Sequence, residues 1–195
     1  LEGVRRPGIA VAMPTVNDKP VVVIDGGATT DCTPEILMQY AIMGSTYSRE
    51  IIGRPDPRVG VMSVGTEEAK GNVLSKETFE LLEQAPVHFI GNVEGHDIFE
   101  GDVDVVVCDG FTGNVILKTS ESAAHAIGSW LKRELTRNFV RMLGALLIRS
   151  GLRSLKEKIS QTTYGGAPLL GVNGICIIGH GSSNAVAVKN GIRQA

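Results

Sequence analysis

The chain has 195 residues, 43% of them hydrophobic, which is enough for one domain with a sizeable core. Its 19 basic and 21 acidic residues nearly cancel, which argues against nucleic acid as a partner. The three cysteines are widely spaced and form no Cys-x-x-Cys pair, a pattern that favours a reducing cytosol over a disulfide framework or a zinc site. No segment predicts export, and none approaches the roughly eighteen apolar residues of a membrane span.

The amino-terminal part predicts a strand pair followed by a helix. Short aliphatic runs at residues 9–12 and 21–24 are joined by a turn rich in Pro and Asn, which indicates a hairpin. Pro34 stands where first-turn prolines stand, with Thr33 as its N-cap, and apolar residues recur at helical spacing as far as Met43.

The middle of the chain repeats one unit, an aliphatic strand that ends in a polar loop containing glycine. Residues 58–64 predict a strand and 65–72 its loop, and a helix capped by Ser75 follows. Residues 87–90 predict the next strand, which leads into another such loop. The valine-rich run at 103–108 then breaks into Asp109, Gly110, Gly113 and Asn114 before a helix begins.

The carboxyl-terminal part predicts long helices and one last strand. Residues 115–135 continue as a helix, and 130–160 are amphipathic and basic, with Gly144 and Gly151 dividing them into two helices. The strand predicted at 174–178 is followed by a glycine loop and a closing helix through Lys189. This alternation predicts one doubly wound α/β domain with a parallel or mixed sheet, a helical protrusion at about 130–160, and several loops converging on one sheet edge.

Two of these loops carry residues suited to chemistry. Lys70 precedes a glycine at a strand end, which suits a point charge for phosphate, although it also fits a solvated surface residue. The amide of Asn114 suits an oxyanion donor or a helix cap. Asp109 could orient such donors or accept N–H groups in its own turn.

Cys108 directly follows three valines, which predicts a core residue rather than a nucleophile, and His88 and His125 are predicted to be structural.

The last loop, Gly179-His-Gly-Ser-Ser-Asn184, resembles half of a dinucleotide fingerprint, but an asparagine replaces the third glycine. It suits either an anion site or an ordinary N-cap. The basic helices fit a solvated face on a dimer-forming pair, an interfacial membrane helix, or a dock for an acidic protein. The candidate partner residues there are Arg137, Arg141, Arg149 and Arg153.

Five motifs in succession resemble the PlsX-type phosphate acyltransferases of bacterial phospholipid synthesis, over the carboxyl-terminal part of the family sequence. They are Glu68-Ala-Lys-Gly-Asn72, Phe89-Ile-Gly-Asn-Val-Glu-Gly95, Val107-Cys-Asp-Gly-Phe-Thr-Gly-Asn-Val115, Gly165-Gly-Ala-Pro-Leu-Leu-Gly171 and His180-Gly-Ser-Ser-Asn184. The resemblance implies a three-layer α/β/α sandwich with a mixed, mostly parallel sheet, like that of isocitrate dehydrogenases and phosphotransacetylases.

The resemblance also implies an activity. The enzyme would transfer a long acyl chain from acyl carrier protein to inorganic phosphate, without metal or cofactor, as a cytosolic homodimer at the inner face of the membrane. Its acyl phosphate would serve a membrane glycerol-3-phosphate acyltransferase. The motifs place the catalytic positions at Lys70 and Asn114. The predicted phosphate-binding residues are Gly71, Asn72, Asp109, Gly110, Gly113, His180, Gly181, Ser182, Ser183 and Asn184.

Three alternatives stay open at this point. A phosphotransacetylase-like transferase would use an acyl-coenzyme A, and a non-catalytic fragment would retain only dimerisation and membrane or partner binding. A nicotinamide dehydrogenase is disfavoured because the dinucleotide fingerprint fails.

Overall fold

A computed structural model describes residues 1–159, 166–179, 181 and 183–195 of the chain. The strands are β1 (Gly8–Met13), β2 (Val21–Ile24), β3 (Arg58–Met62), β4 (His88–Val93), β5 (Val105–Val107), β6 (Ala167–Leu170) and β7 (Ile177–Ile178). The α-helices are α1 (Pro34–Tyr47), α2 (Val73–Leu82), α3 (Asp97–Glu100), α4 (Gly110–Leu135), α5 (Phe139–Leu147), α6 (Arg149–Ile159) and α7 (Ala185–Gln194). A short π-helix, Ser48–Ile52, continues α1.

The strands form one mixed sheet in the order β4-β3-β5-β2-β1-β6-β7. Strands β4, β3, β5 and β2 pair in parallel, whereas β1 pairs antiparallel with both β2 and β6. Five of the seven strands therefore point the same way, and β1 and β7 point the other way. The predicted mostly parallel sheet is confirmed, as is the hairpin of β1 and β2.

Helices cover both faces of this sheet. On one face, α1 and α2 pack Leu37, Tyr40 and Leu82 onto the inward side chains of β2, β3 and β5. On the other face, Ile98 of α3 is buried with Val106 and its neighbours, and α4 contributes partly buried residues. Valines with no exposed surface fill both sides of the central strands, as expected for a parallel sheet that is buried on both faces.

The helix boundaries predicted at Ser75, Gly144 and Gly151 were wrong. Asn72 caps α2, and its Oδ1 accepts the backbone N–H of Ser75 at 2.8 Å, so the helix begins before Ser75. The glycines at 144 and 151 do not divide the basic segment, since both lie inside helices. The chain breaks instead after α4, where Asn138 caps α5, and again at Ile148.

Helices α4 to α6 expose a large apolar surface. Phe139, Val140 and Leu147 of α5 are 73%, 77% and 79% exposed, and none of the residues of α5 is buried. No helix in the described ranges combines the length and apolar composition needed to cross a membrane.

Candidate active site

Four loops share one edge of the sheet. Because β2, β3, β4 and β5 are parallel, the loops that leave their carboxyl ends lie side by side along that edge. They are residues 25–33, 63–72, 94–96 and 108–109. Predicted site residues lie in the second and fourth of these loops, and the first contains a residue that the sequence analysis missed.

That residue is Asp25, which is fully buried at the end of β2. One carboxylate oxygen accepts the backbone N–H groups of Ile9, Gly27 and Ala28 at 2.9, 3.0 and 2.9 Å, and the other accepts that of Thr29 at 2.7 Å. A carboxylate that satisfies four backbone donors holds its loop in one conformation. The available signal was an aspartate followed by two glycines directly after a buried strand.

The start of α4 packs directly against this loop. The backbone N–H of Gly110 donates to the Thr29 carbonyl at 2.8 Å, and a Cβ at Gly110 would lie 2.7 Å from that oxygen. A Cβ at Gly113 would overlap the carbonyl oxygen of Asp25 and lie 2.9 Å from its carbonyl carbon. The glycine spacing in Asp109-Gly-Phe-Thr-Gly-Asn114 therefore serves the close approach of one backbone to another.

Asn114 does not cap α4, so that alternative for its amide was wrong. The cap is Asp109, whose carboxylate accepts the backbone N–H of Thr112 at 2.9 Å and its hydroxyl at 2.8 Å. The interpretation of Asp109 as an acceptor in its own turn is thereby confirmed. Asn114 is exposed, and a Cβ at Gly27 would lie 3.5 Å from its Cβ. Its side chain thus stands at the sheet edge beside the loop of Asp25.

Lys70 lies in an exposed loop whose backbone is fixed by hydrogen bonds to the carbonyl oxygen of Glu67. Its N–H donates to the Glu67 carbonyl at 2.9 Å, and the same carbonyl accepts Nδ2 of Asn92 at 2.7 Å. Gly71 adopts a φ of 106°, a conformation that residues with a side chain rarely take. The chain therefore turns sharply between Lys70 and the start of α2.

A cavity of about 180 Å³ joins the loop of Lys70 to the loop of Asp109. Its polar side chains come from Ser63, Asn72 and Ser75 on one side and from Asp109 and Thr112 on the other. The remaining lining residues are mostly apolar and include Leu37, Val61, Met62, Val64, Leu74, Val107 and Cys108. The first turns of α2 and α4 both line this space, so two helix amino termini meet there. Helix amino termini attract an anion, whereas the Asp109 carboxylate in the same lining repels one. The predicted catalytic residues Lys70 and Asn114 do not line the cavity themselves.

The described residues of the third predicted loop do not line this cavity. His180 and Ser182 lie outside the described residues, while Asn184 caps α7 through the N–H of Ala187 at 2.9 Å. Strand β7, which precedes this loop, lies four places from β5 in the sheet and runs in the opposite direction. Gly181 and Ser183 are described and do not line the cavity. Their part in phosphate binding stays a prediction.

The cysteines confirm one interpretation of the sequence. Cys108 is 3% exposed in the core beneath α4, and burial, with Asp109 and Asp25 nearby, raises the pKa of its thiol. Burial and the Asp25 carboxylate raise the pKa of Cys32 to about 11. Neither thiol is thus a ready nucleophile at neutral pH. Cys176 is exposed.

We expect alkylation by N-ethylmaleimide at pH 7 to modify Cys176 first and to spare Cys108 until the chain unfolds. Because the thiolate reacts and the pKa of Cys32 is about 11, its labelling rate should keep rising with pH up to that value. Timed labelling followed by peptide mass spectrometry measures the three rates. Labelling of Cys108 as fast as that of Cys176 in the folded chain would contradict its burial.

The exposed histidines were expected to be structural. His88 pairs with Asp56 at 2.6 Å, and His125 is exposed on α4. Within the described ranges, one group of side chains could reach a common cation, formed by His96, Asp97 and Glu100. His96 and Glu100 are exposed, and exposed acidic groups of this kind are common without an ion, so we assign no metal to this surface group.

The candidate partner residues differ in their surroundings. Glu134 forms ion pairs with both Arg137 and Arg141. Lys158 of α6 pairs with Asp18 at 2.6 Å, in the turn between β1 and β2. Cations here alternate with exposed apolar side chains, including Phe139 and Leu146.

Known proteins are similar to this chain in sequence. The phosphate acyltransferase of Leptospira biflexa is 50% identical over 195 residues, which are 99% of this chain and 57% of that protein. The phosphate acyltransferase of Helicobacter hepaticus is 51% identical over 195 residues, or 100% of this chain and 58% of that protein. The chain therefore spans somewhat more than half the length of these relatives.

Two solved structures share the fold at low identity. A branched-chain phosphotransacylase from Enterococcus faecalis V583 aligns with a TM-score of 0.54 and 14% identity, covering 96% of this chain and 64% of that one. The EutD phosphotransacetylase from Staphylococcus aureus aligns with a TM-score of 0.52 and 18% identity, covering 64% of this chain and 44% of that one. The predicted phosphotransacetylase-like architecture is confirmed.

The family model described as "Fatty acid synthesis protein" matches residues 1–195. This match agrees with the two relatives, each of which aligns with nearly the whole chain at about half identity. The chain therefore belongs to the fatty acid synthesis protein family, and its curated relatives in that family are phosphate acyltransferases.

Proposed function

We propose that the chain transfers a long-chain acyl group from acyl carrier protein to inorganic phosphate, giving acyl phosphate for phospholipid synthesis. The observation that carries the proposal is the cavity between the loops of Lys70 and Asp109, where the amino termini of α2 and α4 meet. In this proposal the two helix amino termini, with Lys70 in the loop next to the lining residue Gly71, offset the Asp109 carboxylate and attract phosphate. The names of the relatives support the reaction class.

The reaction needs no nucleophilic side chain. A phosphate oxygen attacks the thioester carbonyl carbon, and a tetrahedral oxyanion forms with a new carbon–oxygen bond. The carbon–sulfur bond then breaks, and the carrier leaves as a thiolate that takes up a proton. In this scheme Lys70 and the glycine-loop N–H groups hold phosphate against the thioester, which turns a bimolecular encounter into a positioned one. The burial of Cys108 agrees with direct attack by phosphate.

In this proposal Asn114 stabilises the oxyanion. Its amide stands at the sheet edge, and its backbone is held in place because Gly113 packs against the peptide of Asp25. A well-placed donor of this kind contributes about 3 kcal/mol to the transition state. The segment from His180 to Asn184 stays a predicted further set of phosphate ligands.

The test is phosphate-dependent formation of acyl phosphate by the purified chain, with acyl carrier protein and coenzyme A compared as acyl carriers. Turnover with the carrier protein supports the proposal. Turnover with coenzyme A alone would instead support a phosphotransacetylase-like transferase, a rival that the shared fold keeps open. Inactivity with both donors would support a non-catalytic fragment, the rival favoured by the partial coverage of the relatives.

For the basic helices we propose a role as the contact with acyl carrier protein or an anionic membrane surface, in a cytosolic homodimer bound to the inner face of the membrane. Acyl phosphate would pass there to a glycerol-3-phosphate acyltransferase. The exposed apolar side chains of α5 and the neighbouring arginines suit such a surface, because cations attract anionic headgroups while apolar groups insert.

We expect replacement of Arg141, Arg149 and Arg153 by glutamine to weaken binding to anionic vesicles or to the carrier protein by about 100-fold. This estimate takes about 1 kcal/mol of binding free energy for each cation that is removed. Vesicle flotation and carrier binding, measured separately, identify the partner. The matched control neutralises three exposed cations elsewhere, Lys19, Lys76 and Arg193. Unchanged binding in both assays would show that these arginines bind neither partner and that the basic helices present an ordinary solvated surface.

A further inference from the structure

The side chain of Asn92 ties the end of β4 to the loop that carries Lys70. Asn92 is only 6% exposed, and its Nδ2 donates to the carbonyl oxygen of Glu67 at 2.7 Å. That oxygen also accepts the backbone N–H of Lys70 at 2.9 Å. One carbonyl thus links a buried amide on the sheet to the turn that presents the lysine.

A β-bulge in β4 determines which sheet face the Asn92 side chain lies on. The β3–β4 register pairs Val59 with Phe89 but Gly60 with Gly91, so one extra residue, Ile90, enters β4. Gly91 has a φ of 98°, which this bulge requires. A shift of one residue sends each later side chain to the other sheet face. Asn92 therefore pairs with Val61, on the face that α1 and α2 cover, beneath the loop of Lys70.

The part of the loop that carries Lys70 lies in solvent. Residues 66–70 are all exposed, and the first buried residue after them is Ser75 of α2. The Asn92 amide bonds a residue 25 positions away and lies on the sheet, where the strand ladder keeps it fixed. Loss of a buried donor to such a loop lowers the free energy of local opening.

We propose that Asn92 is a positioning residue that holds the loop of Lys70 in place for phosphate. This inference rests on the proposed function for the role of Lys70, but the anchoring itself is measurable without any activity. The proposal gives the bulged motif Phe89-Ile-Gly-Asn-Val-Glu-Gly95 a structural role, whereas the reaction scheme gives it none.

The anchoring is tested by limited trypsin digestion of the native chain, because trypsin cleaves after Lys70 itself. We expect Asn92→Asp, which keeps the shape but loses the donor, to speed cleavage at Lys70–Gly71 by about tenfold or more relative to cleavage at Lys76–Glu77. Asn92→Ala removes the donor without adding a charge and should act in the same direction. Peptide mass spectrometry over time gives both rates.

The matched control is Asn17→Asp. Asn17 makes the same kind of contact, from Nδ2 to the Glu100 carbonyl at 2.8 Å, in a different loop. It should leave the ratio of the two cleavage rates unchanged. Equal acceleration at both lysine sites, or no acceleration, in the Asn92 variants would overturn the proposal, since the first outcome means global destabilisation.

A kinetic measurement separates this inference from the proposed function. If both hold, Asn92→Asp raises the KM for phosphate about tenfold, with a smaller change in kcat. Global destabilisation lowers only the amount of active enzyme and does not move KM. Selective cleavage at Lys70 with an unchanged KM would keep Asn92 as the loop anchor and would remove Lys70 from the phosphate site.

Discussion

Replacing Asn114 with alanine should lower kcat for acyl transfer to phosphate by about 100- to 1000-fold while leaving the KM for phosphate nearly unchanged. The amide is proposed to donate to the oxyanion, which exists only after phosphate has attacked, so its loss acts on the transition state alone. Replacing Lys70 with alanine should lower kcat and also raise the KM for phosphate, because an ammonium group attracts bound phosphate before and during the reaction.

Steady-state rates at varied phosphate measure both effects in the 195-residue chain. If that chain is inactive, the same residues are tested in a chain of the relatives' full length. Ser122→Ala is the matched control, since Ser122 is exposed on α4 two turns beyond Asn114. Normal turnover in both the Asn114 and the Lys70 variants would show that neither residue has the proposed role.

The sequence predicts the sheet edge well because its signal is local. A run of buried valines predicts a parallel strand, and the glycine and asparagine that follow predict a tight turn into a helix. These local patterns correctly placed the loops of Lys70 and Asp109 on one edge, and the structure joins them through one cavity. Cys108 was correctly placed in the core for the same reason.

What the sequence did not predict depends on distant contacts. The direction of β7 is set by its pairing with β6 and by the antiparallel position of β1, and no pattern near His180 encodes either. The role of Asp25 is also non-local in part, because one of its four donors is the N–H of Ile9 on the neighbouring strand. The bulge that turns Asn92 toward Glu67 depends on how β3 and β4 align.

The basic helices show a further limit. Glycine disfavours a helix by only about 1 kcal/mol, so Gly144 and Gly151 did not end their helices. An asparagine cap stabilises a helix start by a similar amount, and Asn138, whose Oδ1 accepts the N–H of Arg141 at 2.9 Å, begins α5. In exposed helices such small terms decide the boundaries, because no buried face overrides them.

Gly113→Ala should destabilise the chain by about 3 kcal/mol, a large effect for the addition of one methyl group. The new Cβ would overlap the carbonyl oxygen of Asp25 and lie 2.9 Å from its carbonyl carbon and 3.2 Å from the Cys108 sulfur. Two of these atoms are backbone, held by the strand pairing of β2 and by the four donors to the Asp25 carboxylate. They cannot move aside as a side chain would, so α4 must shift.

The same helix supplies the control. Gly128 also lies in α4, and a Cβ there would meet nothing within 4 Å, so Gly128→Ala should stabilise the chain by about 0.5–1 kcal/mol through helix propensity. Urea unfolding of the two variants, followed by circular dichroism, compares the same substitution in the same helix. Equal stability of the two variants would contradict the close approach of α4 to Asp25.

The shift of α4 also links stability to function. Asn114 follows Gly113 directly and stands beside Gly27, so moving the start of the helix moves the proposed oxyanion donor with it. Below its unfolding transition, Gly113→Ala should therefore lose kcat about as Asn114→Ala does, whereas Gly128→Ala keeps it. Full activity in folded Gly113→Ala would separate the packing of α4 from catalysis and would place the oxyanion donor elsewhere than on this helix.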